Sequence, residues 1–224
     1  MDGTADTHRG LPPRPIVFVV DDDDSFRRST ERLVSLAGYE ARGFRSAREF
    51  LAAERPDLLS CLVLDVCMSD MSGLDVQREL AAQMEIVFMT GHGDIQTSVR
   101  AMKAGATEFL IKPFREAALL DAIHQALERN RRVREARSEL SDLRRRFDGL
   151  TRRERDVVQL VVRGLLNKQV AAELGISQVT VKLHRHNGMR KMHAASLADL
   201  VRMTERMALL SSLFAGREPS AMVW

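Results

Sequence analysis

The segment IVFVVDD at residues 16–22 is the most informative part of the chain about its fold, because two carboxylates follow directly after a short and wholly apolar run. Three further apolar runs end in polar residues: CLVL leads into Asp65, IVFM into Thr90 and FLI into Lys112. Short apolar runs that alternate with amphipathic segments are typical of βαβ units whose parallel sheet is buried on both faces. We therefore predict an α/β fold with a doubly wound parallel sheet. Since the carboxyl ends of parallel strands meet at one edge, the polar side chains should gather there.

A weaker strand at residues 39–44 completes a five-stranded sheet. Ser25 is the predicted cap of the first helix, and Gly38 ends that helix. We place this domain at residues 16–128, after a flexible tail at residues 1–15. The remaining helices of the domain are predicted at 46–54, 74–83 and 94–103, and from Arg115 onward.

The chain has 224 residues, which is long for one compact domain and suits two. No apolar run approaches the roughly 20 residues that cross a bilayer, and residues 1–15 lack the apolar stretch of a signal peptide. The two cysteines, Cys61 and Cys67, form neither a disulfide framework nor a zinc motif. We therefore expect a soluble, cytoplasmic protein with no membrane partner.

The net charge of +3 conceals an asymmetry between the two halves of the chain. Residues 16–127 hold 18 acidic and 12 basic side chains, whereas residues 151–207 hold 5 acidic and 11 basic side chains. The carboxyl-terminal part is therefore the candidate for binding a polyanion.

Asp21, Asp22 and Asp65 would bring three carboxylates together, which costs free energy unless protons or a cation neutralise them. A hard divalent ion such as Mg²⁺ suits these oxygen ligands best. Asp65 stands alone after the central strand and is our candidate nucleophile, because carboxylates can accept phosphoryl groups covalently. Lys112 can pair with phosphoryl oxygens, and the Thr90 hydroxyl can donate to one of them.

An amphipathic linker helix is predicted over residues 129–149, where eight arginines from Arg129 to Arg146 surround a stripe of apolar residues. Two interpretations of the stripe stay open: it packs against a neighbouring domain, or it forms a short coiled coil in a dimer. Its apolar residues recur at steps of three and four: Val133, Ala136, Leu140, Leu143, Phe147 and Leu150.

Residues 150–212 predict a small all-α domain, followed by a frayed tail at residues 213–224. Thr151 and Glu154 have the spacing of a capping box. Gly175 lies in a tight turn, and Ser177 caps a helix over residues 178–192. A helix, a glycine turn and a basic helix in this order predict a helix-turn-helix.

The motifs IVFVVDD, LVLDVCM, FMTGHG and AMKAGATEFLIKPF resemble the receiver domain of two-component response regulators, a flavodoxin-like fold, over residues 16–128. The resemblance implies that a sensor histidine kinase donates a phosphoryl group to Asp65. It also implies that Mg²⁺ is held by Asp22, Asp65 and the backbone carbonyl of Cys67, with Asp21 acting through water.

The same resemblance implies a switch pair, Thr90 and Phe109, whose hydroxyl and ring move when the phosphoryl group arrives. It further implies that the Lys112–Pro113 peptide bond is often cis. The sequence departs from the family at Ser69 and Gln96, where family members usually or often have proline.

The stretch LTRRERDVVQLVVRGLLNKQVAAELGISQVTVKLHR at residues 150–185 resembles the DNA-binding output domain of the LuxR/FixJ class. The resemblance implies four helices, with the third in the major groove of DNA and the last over residues 196–207. It assigns base contacts to Lys182, Leu183 and His186, and phosphate contacts to Arg185 and Lys191. Gly188 departs from the family, and we expect it to leave an apolar contact empty.

The leading hypothesis is a phosphorylation-dependent transcription regulator that dimerises, binds double-stranded promoter DNA and acts with RNA polymerase. Such a protein catalyses only its own phosphorylation and dephosphorylation and is not otherwise an enzyme. One alternative is a stand-alone phosphohydrolase, although these enzymes commonly carry a second aspartate where this chain has Cys67. Another alternative assigns the helical domain to protein or RNA contacts.

Overall fold

In the first half of the chain, parallel strands form one sheet in the order Glu40–Phe44, Ile16–Val20, Ser60–Asp65, Ile86–Thr90, Glu108–Ile111. The computed structural model describes residues 13–80, 83–91 and 95–215. The chain divides into two compact units, Met1–Arg132 and Val133–Trp224. The elements of the first unit are β1 (Ile16–Val20), α1 (Asp24–Leu36), β2 (Glu40–Phe44), α2 (Ala47–Ala52), β3 (Ser60–Asp65), α3 (Gly73–Leu80), β4 (Ile86–Thr90), α4 (Ile95–Lys103), β5 (Glu108–Ile111) and the start of α5 (Glu116–Asp148).

The register of the strands brings their carboxyl ends side by side. Val20 of β1 pairs with Leu64 of β3, so that β1 and β3 end at the same level. Asp65 then pairs with Met89 of β4, and Thr90 pairs with Ile111 of β5. The predicted five-stranded parallel sheet is confirmed, and its polar residues lie at the strand ends or directly beyond them.

Both faces of the sheet are buried, which explains why the strands are almost continuously apolar. Alternate residues of β1, β3 and β4, such as Phe18, Leu64 and Phe88, pack with residues of α2 and α3 on one face. Their neighbours in sequence, such as Val19 and Val63, pack with residues of α1 and α5 on the other face. Each such burial stabilises the fold by about 1.5–3 kcal/mol.

Helix α1 begins at Asp24 and is capped by Asp23, whose carboxylate accepts from the amides of Ser25 and Phe26 at 2.9 and 3.1 Å. The prediction that Ser25 is the cap is therefore wrong. Aspartate is as good a cap as serine, and Asp23 is the residue whose carboxylate reaches the free amides of the first turn.

Helix α5 runs without interruption from Glu116 to Asp148, so the helix predicted from Arg115 and the linker predicted at residues 129–149 are one element. Within the second unit, Leu140 of this helix is buried against Leu210 and Phe214. Packing against another helix of the chain, the first of the two interpretations, therefore accounts for the apolar stripe.

The second unit adds α6 (Arg152–Val162), α7 (Asn167–Leu174), α8 (Gln178–Met192) and α9 (Leu197–Phe214). The capping box of Thr151 and Glu154 is confirmed, as is the Ser177 cap. Gly175 has a φ of 64°, in the left-handed region that favours glycine. Helix α9 continues beyond the predicted end at residue 207 because its last turns pack on α5.

Gly188 is buried on the face of α8 that contacts α6. A Cβ atom at this position would lie 2.8 Å from Cγ2 of Val158. The expectation that Gly188 leaves an apolar contact empty is therefore wrong, since Val158 occupies the space. The glycine allows α6 and α8 to approach closely, at a cost of about 1 kcal/mol in helix propensity.

Residues 1–12 and 216–224 lie outside the described residues, and with them most of the two predicted tails. Among the helices that the structure describes, none is both long and apolar enough to span a bilayer.

Candidate functional site

Three carboxylates meet at the carboxyl-terminal edge of the sheet, as the sequence predicts. One oxygen each of Asp21, Asp22 and Asp65 lies within 4.8 Å of the others. Asp21 is fully buried and Asp65 is 7% exposed, whereas Asp22 faces solvent. Asp21 and Asp22 follow β1 and Asp65 ends β3, so adjacent parallel strands create the cluster.

Lys112 reaches this cluster from the end of β5. Its Nζ donates to Asp21 Oδ2 and to Asp65 Oδ2, each at 2.7 Å. The ammonium also lies 4.0 Å from the centroid of the Phe26 ring, a cation–π contact that shields it from solvent. The Lys112–Pro113 peptide bond is cis. Lys112 thus forms an ion pair with Asp65, the predicted nucleophile.

Burial and ion pairing compete in setting the pKa values of the cluster. Burial raises the pKa of Asp21 above its ordinary value, although hydrogen bonds from Lys112 and from the Asp23 amide oppose the shift. Burial alone would lower the pKa of Lys112, but its hydrogen bonds to Asp21 and Asp65 outweigh it, and the pKa is raised. Lys112 therefore stays charged at neutral pH.

The donor set fits a hard divalent cation. Three carboxylates and one ammonium leave two negative charges, which one divalent ion would neutralise. Both oxygens of Asp21 are engaged, Oδ1 by the Asp23 amide at 2.9 Å and Oδ2 by Lys112. Both oxygens of Asp65 are engaged as well, by the Cys67 amide and by Lys112, so Asp22, which faces solvent, is the most accessible ligand.

Thr90 and Phe109, the predicted switch pair, lie on adjacent strands. Thr90 is fully buried, and its Oγ1 is 3.9 Å from Sγ of Cys67, two residues beyond Asp65. The half-buried Phe109 ring packs on Phe88 with centroids 6.2 Å apart. The structure places Thr90 one residue beyond the β4 partner of Asp65, so its hydroxyl belongs to the same edge.

Arg27, a buried arginine beside the cluster, is not among the site residues predicted from the sequence. Its Nη1 donates to the backbone carbonyl of Asp21 at 2.9 Å, and its Nη2 pairs with Asp24. Arg27 thus fixes the backbone from which Asp21 and Asp22 project. A single arginine in an amphipathic helix carries no sequence signal for this role.

The exposed stripe of α8 contains the three residues predicted to contact bases. Lys182, Leu183 and His186 are exposed, and Leu183 is 57% exposed although it is apolar. Val179 lies three and four residues before Lys182 and Leu183 and is 76% exposed. Sequence reasoning missed Val179, although its spacing places it on the same helix face.

The two predicted phosphate contacts have partners within the second unit. Arg185 Nη1 donates to Asn167 Oδ1 at 3.1 Å and keeps other N–H groups for a phosphate. Lys191 Nζ pairs at 2.7 Å with Oε2 of Glu154, which is 5% exposed. The Lys191 ammonium thus neutralises a buried carboxylate, and the phosphate contacts of Arg185 and Lys191 stay predictions.

The first unit holds a carboxylate cluster paired with a lysine, and the second holds a helix-turn-helix with an exposed stripe on α8. Residues 17–124 match the response regulator receiver domain, and residues 148–204 match the bacterial regulatory proteins of the luxR family. The chain therefore belongs to the response regulators that join a receiver domain to a LuxR-family DNA-binding domain. It is a phosphorylation-dependent transcriptional regulator of a two-component system.

Similar proteins match nearly the whole chain. Nodulation protein W of Bradyrhizobium diazoefficiens is 51% identical over 205 residues, 90% of each protein. Transcriptional regulatory protein FixJ of Azorhizobium caulinodans is 44% identical over 199 residues, 86% of this chain and 93% of that protein. The solved structure of the response regulator StyR is 52% identical, with a TM-score of 0.79 over 86% of this chain and 99% of that chain.

Proposed function

We propose that a sensor histidine kinase transfers a phosphoryl group to Asp65 of this chain. A carboxylate oxygen of Asp65 bonds to phosphorus as the phosphorus–nitrogen bond of the kinase's phosphohistidine breaks. The observation that carries this proposal is the 2.7 Å ion pair between Lys112 Nζ and Asp65 Oδ2. An ammonium so close to the carboxylate can pair with the oxygens of the incoming phosphoryl group.

Mg²⁺ is the cofactor that suits the three carboxylates. Asp22, Asp65 and the backbone carbonyl of Cys67 would hold it directly, and Asp21 would act through water. When bound, the ion supplies charge neutralisation and orients the phosphoryl oxygens. The support for this assignment is the set of hard oxygen donors and the two negative charges that Lys112 leaves uncompensated.

The acyl phosphate carries about −1.5 to −2 charges where the Asp65 carboxylate carried one, and this change biases a two-state receiver through Thr90 and Phe109. The phosphorylated protein then dimerises and binds an inverted repeat in promoter DNA, since two half-sites combine the contacts of two small output domains. RNA polymerase is the downstream partner, and the bacterial cytoplasm, where promoters are located, is the compartment.

We further propose that the chain is a switch that catalyses only its own phosphorylation and dephosphorylation. At the second position after Asp65 it has Cys67, and a thiol is a weak proton donor compared with the acid that a hydrolase uses there. A switch takes one label per chain and loses it slowly, whereas a hydrolase turns over phosphate esters continuously.

The test uses the full chain, Mg²⁺ and acetyl phosphate as the phosphodonor. Asp65→Asn should abolish labelling, while Asp121→Asn, which removes an exposed carboxylate of the same domain, should label normally. Phosphorylation of the wild-type chain should tighten its binding to duplexes selected from random DNA, and Asp65→Asn should remove that response. Undiminished labelling of Asp65→Asn would contradict the proposal.

A further inference from the structure

The loop between β3 and α3 directs alternate backbone amides at the carboxylate cluster. The amide of Cys67 donates to Asp65 Oδ1 at 2.9 Å. Two residues later, the amide of Ser69 donates to Asp22 Oδ2 at 3.0 Å. The loop therefore holds two of the three carboxylates by main-chain hydrogen bonds.

Met68 and Asp70, which flank Ser69, anchor the loop to the rest of the domain. Met68 packs on the core beneath the sheet. The Asp70 carboxylate accepts from the amides of Ala47 and Arg48 at 3.4 and 3.0 Å, at the start of α2. Since the loop is fixed at both ends of this segment, the Ser69 amide has a defined direction.

The donor at residue 69 exists because this residue is not proline. The family usually has proline here, and proline carries no N–H. Asp22 needs such a donor more than its neighbours do, since Lys112 bonds to Asp21 and Asp65 and leaves Asp22 facing solvent. Without a restraint, repulsion from two like charges favours rotation of Asp22 away from the cluster.

We propose that the Ser69 amide is a positioning group that holds the Asp22 carboxylate towards the other two before a divalent ion binds. The inference rests on the proposed Mg²⁺ site and adds to it a donor that proline at position 69 would remove. A carboxylate has two oxygens with about four lone-pair sites, so the amide and the ion can bind it together. Because Asp22 is already in place, less side-chain entropy is lost when the ion binds.

The test compares Ser69→Pro, which removes the N–H, with Ser69→Ala, which keeps it. Mg²⁺ binding to the full chain is measured by calorimetry, and folding is checked by thermal unfolding. Ser69→Ala should bind Mg²⁺ like the wild-type chain, whereas Ser69→Pro should bind it roughly three- to tenfold more weakly, as expected for loss of a hydrogen bond to a charged group that is partly solvated.

A second measurement separates positioning from general damage to the loop. With acetyl phosphate as donor, Ser69→Pro should need more Mg²⁺ for half-maximal labelling but reach the wild-type rate at saturating Mg²⁺. Equal Mg²⁺ affinity of the proline variant and the wild-type chain, or tighter binding by the variant, overturns the inference while leaving the metal site intact. Absence of Mg²⁺ binding by the wild-type chain defeats the proposed site itself.

If Ser69→Pro does not fold, nuclear magnetic resonance of the ion-free protein tests the hydrogen bond from Ser69 to Asp22 directly, by comparing the wild-type chain with Asp22→Ala. The Ser69 amide proton should move upfield in Asp22→Ala, because its charged acceptor is lost. An unchanged Ser69 signal would show that the hydrogen bond is absent and would overturn the inference.

Discussion

Replacing Gly188 with alanine tests how closely α6 and α8 pack. Helix propensity alone predicts that Gly188→Ala stabilises α8 by about 1 kcal/mol. The structure predicts the opposite, because the new Cβ would lie 2.8 Å from Cγ2 of Val158, closer than carbon atoms approach without strain. Val158 is 1% exposed and β-branched, so its side chain cannot easily rotate away.

The magnitude follows from these two effects. Overpacking costs about 1–3 kcal/mol, and the propensity gain offsets about 1 kcal/mol of it, so the net loss of stability should be up to about 2 kcal/mol. Val158→Ala should itself cost about 2 kcal/mol through lost burial. In that background Gly188→Ala should become stabilising, which gives a favourable coupling between the two positions.

Hydrogen–deuterium exchange of the full chain measures this effect within the second unit. The opening free energy measured from α8 peptides should be lower in Gly188→Ala than in the wild-type chain. In the double variant it should be higher than in Val158→Ala alone. Peptides from β3, in the other unit, are the internal control and should not change. A stabilised α8 in the single variant would refute the packing argument.

Two further predictions concern the second unit. The pKa of Glu154 is set by burial, which raises it, and by hydrogen bonds from Lys191 and Thr151, which outweigh burial and lower it below the ordinary 4.5. The stabilising contribution of this carboxylate is therefore present above pH 4.5 and is lost as the pH falls through the lowered pKa. Thermal unfolding between pH 5 and 3, roughly the range where such a carboxyl titrates, should show this loss for the wild-type chain but not for Glu154→Gln. If both proteins lose stability equally over this range, the ion pair does not stabilise the fold. Val179→Ala should weaken binding to a selected duplex about three- to fivefold if the valine methyl groups contact thymine methyl groups. The loss should vanish on DNA with deoxyuridine in place of thymidine, and an equal loss on both DNAs would remove Val179 from base recognition.

The sheet edge could be predicted from the sequence because its geometry follows from a simple rule. Once four apolar runs are recognised as parallel strands, Asp21, Asp65, Thr90 and Lys112 must meet at one edge. The capping box of Thr151 and Glu154 could also be predicted from the sequence, since it depends on residues three apart in the chain. The direction of the strands and the spacing of residues along the chain are therefore enough to predict most residues of the receiver site.

The features that escaped prediction depend on contacts between residues distant in the sequence. The last turns of α9 pack on Leu140, which lies on another helix. The role of Gly188 depends on Val158 across the helix interface, and the partner of Lys191 lies on α6. The Ser69 donor is a main-chain N–H, which residue types reveal only through the absence of proline.

Mapping the modified residue is the decisive test of whether Asp65 accepts the phosphoryl group. The full chain is labelled with acetyl phosphate and Mg²⁺, reduced with borohydride to convert the acyl phosphate to an alcohol, digested and analysed by mass spectrometry. We expect homoserine at position 65 in the labelled sample and aspartate there in the unlabelled control. Modification at Asp21 or Asp22 with an unmodified Asp65 would contradict it.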